Sequence, residues 1–179
     1  ILTFLDGVKE GETLMVALYE CAYFDILDKL RTLREKGATV RILVHAQMAW
    51  SKTERSFNKS GSSMQNIASL VHTGLFPHKD TTLRRISGTY HHCITDVSKT
   101  RTQNTNTGQS HNKFFLHLNS KEEPLKMWSG SANLSASAFF GQFNLAHIIH
   151  GHSKETQDLL RRYKDYWEVL LKDTQNERD

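Results

Sequence analysis

Cysteine is scarce: Cys21 and Cys93 are the two present in 179 residues. They cannot form a dense disulfide framework, and a domain of this size does not need one, so a reducing compartment and a cytoplasmic location are the expectation. Long apolar runs are also missing. The longest last a few residues, far short of the roughly 20 needed to cross a bilayer, so no transmembrane helix is expected. Ile1-Leu-Thr-Phe-Leu5 has neither a basic leading segment nor a long apolar stretch, which removes a secretory signal from the expectation. A start at Ile1 rather than Met is compatible with a trimmed or processed chain. There is no internal repeat, and His91-His92-Cys93 has no second pair at zinc-ligand spacing, so a partly buried strand is a better reading of it than a zinc site.

What is there is an ordinary globular balance, 38% hydrophobic and 23% charged, which excludes disorder, collagen and coiled coil. The length fits one domain over residues 1–179. A net charge of +4 and a pI near 9.1 permit anionic partners, nucleic acid or phospholipid head groups among them.

Along the chain, Glu12 to Tyr19 is predicted as a strand, since Leu14-Met-Val-Ala-Leu18 is a short apolar run with polar flanks, the pattern of burial on both faces. From Ala22 to Lys36, Ile26, Leu27, Leu30 and Leu33 fall on one helical face, and Gly37 stands where a left-handed terminating residue belongs. Ala38 to His45 is rich in β-branched residues. Together these predict a βαβ unit, and hence an α/β fold with a central mixed, largely parallel sheet flanked by helices. A second helix is expected within Ser51 to Gly74, entered through Ser60-Gly61-Ser62-Ser63, with further strands at Thr82 to Ile86 and Thr89 to Ile94. Thr95 to Ser110 is polar with almost nothing to bury, the mark of a long functional loop. Lys113 to Leu118 and Leu125 to Trp128 flank a hairpin turn, and Asn144 to His150 is expected as a core strand. The chain closes with an amphipathic helix capped by Ser153, its buried stripe running through Leu159, Leu160, Tyr163, Tyr166, Trp167, Leu170 and Leu171.

Two segments carry chemistry. Strand alternation puts His111 and Lys113 of His111-Asn-Lys113 on one face, an imidazole beside a fixed ammonium that suits a phosphate. Gly130-Ser131-Ala-Asn133 adds a close-approach glycine, a hydroxyl and an amide able to donate to phosphoryl oxygens. An isolated His-x-Lys is most often a surface pair at a strand end, and Gly-Ser-x-Asn alone is a common turn; their order on successive strands is what favours a site. His78-Lys79-Asp80 lacks the intervening residue and is a decoy. His147 is expected to be a satisfied interior histidine, His150 and His152 to be solvated.

This pair of motifs after a βαβ unit resembles one repeat of the phospholipase D superfamily, whose motif runs H-x-K-x4-D followed by G-S-x-N, and the resemblance covers most of the chain. Two positions depart from it: the motif aspartate falls at Leu118, and Asn144-Leu-Ala-His147 lacks the carboxylate that orients the histidine in some similar nucleases. The resemblance implies a phospholipase D-like fold and metal-independent phosphodiester cleavage through a phosphohistidine. In that reading His111 is the nucleophile, and Lys113, Ser131 and Asn133 stabilise phosphoryl charge. Gly130, Asn144 and Arg101 are assigned to substrate binding, with Arg84, Arg85 and Lys99 near Arg101 in sequence. The family's site is made from two motifs and this chain carries one, so either two copies meet about a two-fold axis or the chain is the first half of a two-repeat protein. A nuclease is favoured by the basic charge. A phospholipid-cleaving enzyme would use the same groups and is expected to show an exposed apolar rim, and a non-catalytic phosphate-binding scaffold is the third alternative.

Overall fold

The computed structural model describes residues 1–45, 48–51, 56–59, 61–75, 91–94 and 111–172. In chain order the elements are α1 (Leu2–Leu5), β1 (Thr13–Leu18), α2 (Phe24–Glu35), β2 (Thr39–His45), β3 (Met48–Ser51), β4 (Ser56–Lys59), α3 (Gly61–His72), β5 (His91–Ile94), β6 (Lys113–Leu118), β7 (Pro124–Gly130), α4 (Ala136–Phe140), β8 (Ala146–His150) and α5 (Lys154–Lys172). The expected strand at Thr82 to Ile86 and the polar stretch from Thr95 to Ser110, Arg101 included, lie outside the described residues.

The βαβ unit forms as its pattern predicts. α2 ends in paired bonds from Ala38 N–H to the Leu33 carbonyl and from Gly37 N–H to the Arg34 carbonyl, with Gly37 at φ +90°, a conformation that L side chains rarely adopt. β1 and β2 then run parallel, Thr13 level with Thr39 and Leu18 with Val44. Among the described residues the sheet has the order β5-β2-β1-β6-β7-β8. In it β1–β2 and β2–β5 are parallel, and β1–β6, β6–β7 and β7–β8 are antiparallel. The α/β class and the mixed sheet are as expected, but parallel pairing occupies one side of the sheet rather than most of it. The cause is connection length. Parallel neighbours need a crossover, whereas β6 returns into β7 through a tight turn in which the Asn119 side chain accepts from the N–H groups of Lys121 and Glu123.

β1 is buried along its full length and serves two cores. Leu14, Val16 and Leu18 pack with α1, α2 and Phe115, while Met15 and Ala17 pack with Leu160 and Trp167 of α5. The same alternation divides β6. Phe114, Leu116 and Leu118 enter the α5 core, and Lys113, Phe115 and His117 face the other way. A fully buried Leu118 accounts for the missing motif aspartate, since a carboxylate in that apolar layer would have no partner.

Four expectations change. A β3–β4 hairpin precedes α3, its second strand lying within the Ser51 to Gly74 stretch in which only a loop and a helix are expected. β8 is the outer strand of the sheet and largely exposed, not a core strand, because nothing pairs beyond it among the described residues. His147 is accordingly exposed rather than interior. In α5, Ser153 does cap, its Oγ accepting from Thr156 N–H at 3.3 Å, but only Leu160 and Trp167 of the expected stripe are fully buried, while Leu159 and Tyr166 reach solvent. Among the described residues no helix is long and apolar enough to cross a membrane.

Candidate active site

The two motifs converge at one end of the sheet because β6 and β7 are antiparallel neighbours: the start of β6 lies beside the end of β7, Phe114 level with Ser129. The C-terminal end of parallel β1 reaches the same edge, where sites in open α/β sheets collect. Lys113 is buried, and its Nζ lies 3.2 Å from His111 Nδ1 and 3.3 Å from Nε2, within hydrogen-bond reach of the ring while also donating to the His111 carbonyl. The imidazole packs on the Tyr19 ring with 4.6 Å between centroids, and the ammonium sits 5.4 Å from the centre of the same ring.

Electrostatics favour a neutral imidazole. Although the ring is open to solvent on one side, its partial burial, and next the Lys113 charge, lower the His111 pKa from the ordinary 6.5, opposed by the negative charge of Glu20. Burial likewise lowers the Lys113 pKa, again opposed by Glu20. A neutral ring keeps a lone pair available for attack on phosphorus, and that lone pair is lost as pH falls through the lowered pKa. In an NMR pH titration His111 is therefore expected to titrate below 6.5. Lys113→Met should move it up and Glu20→Gln should move it further down. A wild-type value at or above 6.5, or no upward movement in Lys113→Met, would contradict this account.

Tyr19 and Glu20 were missed in the sequence, and so was the device that holds them. Asn66 of α3, fully buried, accepts from Cys21 N–H at 2.7 Å and donates to the Tyr19 carbonyl at 2.7 Å, gripping the chain on both sides of Glu20. Leu134, just beyond the Gly-Ser-x-Asn turn, donates to the Glu20 carbonyl and accepts from Ala22 N–H. The available signal was position: Tyr19 and Glu20 directly follow a buried strand in a βαβ unit.

The second motif is tied into the neighbouring loop by its own hydrogen bonds. Ser131 Oγ lies 2.9 Å from Asn144 Oδ1, to which it donates, and accepts from Leu145 N–H at 3.1 Å, while Asn144 Nδ2 donates to the Ala138 carbonyl at 2.8 Å. Ser131 and Asn144 thus brace the loop between α4 and β8. Asn133 Oδ1 is buried and has no hydrogen-bond partner among the described residues, an unsatisfied group of the kind that functional sites retain. His111 and Lys113 are brought into contact. No hydrogen bond joins either of them to Ser131 or Asn133 among the described residues, and Arg101 lies outside those residues. No group of three or more His, Cys, Asp or Glu that could hold a metal ion occurs among the described residues.

Gly130 makes its close approach to β8 rather than toward open space. A Cβ there would stand 2.7 Å from the Leu145 carbonyl oxygen and 2.8 Å from Ala146 Cβ. Gly130→Ala is expected to lower stability by about 1–3 kcal/mol through this overpacking, read as a fall in the urea midpoint. An unchanged midpoint would mean that β8 yields freely.

No protein-family model and no curated protein matches the sequence. Solved structures do match. NucT from Helicobacter pylori superposes with a TM-score of 0.62 at 16% identity, over 96% of this chain and 85% of that one. Nuc from Salmonella typhimurium, a phospholipase D family member, superposes with a TM-score of 0.55 at 17% identity, over 93% of this chain and 84% of that one. With its His-x-Lys pair and Gly-Ser-x-Asn turn at one end of a mixed sheet, the chain has the phospholipase D-like fold of these two structures.

Proposed function

We propose that the chain is a metal-independent phosphodiesterase that cleaves nucleic acid through a phosphohistidine. The observation that carries this reading is His111 held beside the buried Lys113 ammonium at 3.2 Å, at the sheet edge where the Gly-Ser-x-Asn turn also lies. A neutral His111 nitrogen attacks phosphorus, forming a P–N bond as the P–O bond to the leaving group breaks. A second histidine protonates the leaving oxygen, then takes a proton from the water that attacks phosphorus and breaks the P–N bond. Lys113 and the Asn133 amide stabilise charge on the phosphoryl oxygens. The second histidine comes from another His-x-Lys repeat, in a second copy of this chain or in a longer parent protein, because one repeat supplies one such pair. The net charge of +4 supports a polyanionic substrate.

One observation favours phospholipid as an alternative substrate. Phe140, Phe143 and Leu145 stand out into solvent and Ile148 is half exposed, an apolar rim around the loop that Ser131 and Asn144 brace. Incubation with single- and double-stranded DNA, RNA and phospholipid vesicles in EDTA separates the readings. Nucleic acid cleavage supports the first and head-group release the second. Phosphate binding without turnover by the assembled, two-motif protein supports a scaffold.

A further inference from the structure

We propose that the cavity between α5 and the adjoining ends of β6 and β7 is a nucleotide subsite, in which Tyr166 stacks a base flanking the scissile bond and Arg162 binds the adjacent phosphate. This rests on the nuclease reading above and names residues that it leaves without a role. The cavity has a volume of about 380 Å3, and its walls include His111, Asn112, Gly130, Arg162, Tyr163 and Tyr166. It therefore opens directly beside the His-x-Lys pair.

Tyr166 is built into this wall rather than into the core. It is 42% exposed, and its hydroxyl donates to Asn112 Oδ1 at 3.1 Å, so the residue between His111 and Lys113 fixes the ring. Phe114 supports it from behind with 6.2 Å between centroids and 34° between planes. A fixed, half-open aromatic ring is a sequence-tolerant platform for a base, since every base has a π face. Four residues earlier, one helical turn, Arg162 is exposed and makes no ion pair among the described residues, while its neighbour Arg161 is bound to Asp158. A guanidinium left without a carboxylate beside a phosphoryl-transfer site suits a phosphate, which it can bind through two parallel hydrogen bonds. The helical periodicity that made Tyr166 look like packing thus places ring and guanidinium on one wall, one turn apart.

The test uses two readouts on wild type, Arg162→Ala and Tyr166→Phe, with Tyr166→Ala as the full truncation. The first is calorimetric binding of thymidine 5′-monophosphate and of inorganic phosphate, which needs no turnover. Wild type is expected to bind the nucleotide about tenfold or more tightly than phosphate. That advantage should disappear in Tyr166→Ala and persist in Tyr166→Phe, and Arg162→Ala should weaken nucleotide binding. The second is cleavage of an oligonucleotide against bis(p-nitrophenyl) phosphate, which has no flanking nucleotide. Tyr166→Ala and Arg162→Ala should raise KM for the oligonucleotide about tenfold and leave the small diester within twofold. Equal nucleotide and phosphate affinity in wild type, or unchanged nucleotide binding in both variants, overturns the subsite even if the protein cleaves nucleic acid. A nucleotide advantage lost in Tyr166→Ala, with no nucleic acid cleaved by the assembled two-motif wild type, keeps the subsite and overturns the nuclease reading.

Discussion

His111→Ala is expected to reduce phosphodiester cleavage by on the order of 10⁴-fold or more, in EDTA as well as without it, because in the proposed mechanism it removes the atom that bonds to phosphorus. Lys113→Ala should cost less, about 10²–10³-fold, the range for loss of one group that stabilises transition-state charge. The ordering follows from chemistry. Loss of the nucleophile closes the two-step route, whereas loss of the ammonium weakens a step that still runs. His111 is exposed and touches the Tyr19 ring and the Lys113 head rather than either core, so the unfolding free energy of His111→Ala, measured in urea, should stay within about 0.5 kcal/mol of wild type. Activity within tenfold of wild type in His111→Ala, with the fold intact, would rule out the phosphohistidine. The comparison must be made on the assembled two-motif protein. A single repeat without its counterpart would leave wild type and variant equally silent.

Trp167→Ala is expected to carry the largest loss of stability, about 3–5 kcal/mol, out of the 5–15 kcal/mol typical of whole domains. Trp167 is fully buried, and its indole N–H donates to the Val16 carbonyl on the central strand at 3.0 Å. Truncation opens a cavity beneath Met15, Ala17 and Leu160 and leaves that carbonyl without its side-chain donor. Trp167→Phe keeps most of the apolar volume and loses the donor, so it should cost less than half as much. Urea unfolding measures both. A loss under about 1 kcal/mol in Trp167→Ala would mean that α5 is not held to the sheet by this contact. Because Tyr166 and Arg162 are neighbours of Trp167 on the same helix, the variant should also weaken nucleotide binding as α5 loosens.

The legible parts of the fold are those in which one segment specifies its own surroundings. The run Leu14 to Leu18 had to be buried on both faces, since five apolar residues in succession leave no polar face for water, and β1 does serve two cores. Gly37 had to end α2, because a positive φ is cheap only there. His111 and Lys113 were legible as a pair for the same reason: two residues apart on a strand share a face whatever surrounds them. β8 was not. Ala146-His-Ile-Ile-His150 has the composition of a core strand, and its exposure depends on its being last in the strand order, which no local pattern encodes. Tyr166 failed similarly, since helical spacing defines a stripe without defining which of its edges the sheet leaves open.

The amino-acid sequence by itself determined the βαβ start, the β6–β7 hairpin, the closing helix and the two motifs, because each depends on residues within one turn or one strand of each other. Tertiary structure alone decided that Glu20 and Tyr19 complete the surroundings of His111, that Asn66 of α3 holds them there, and that Ser131 braces Asn144 rather than standing free. Those groups come from segments tens of residues apart. Their effect on one imidazole is electrostatic and steric, falling off over a few ångströms, so it exists only once the sheet has brought the strand ends to a common edge.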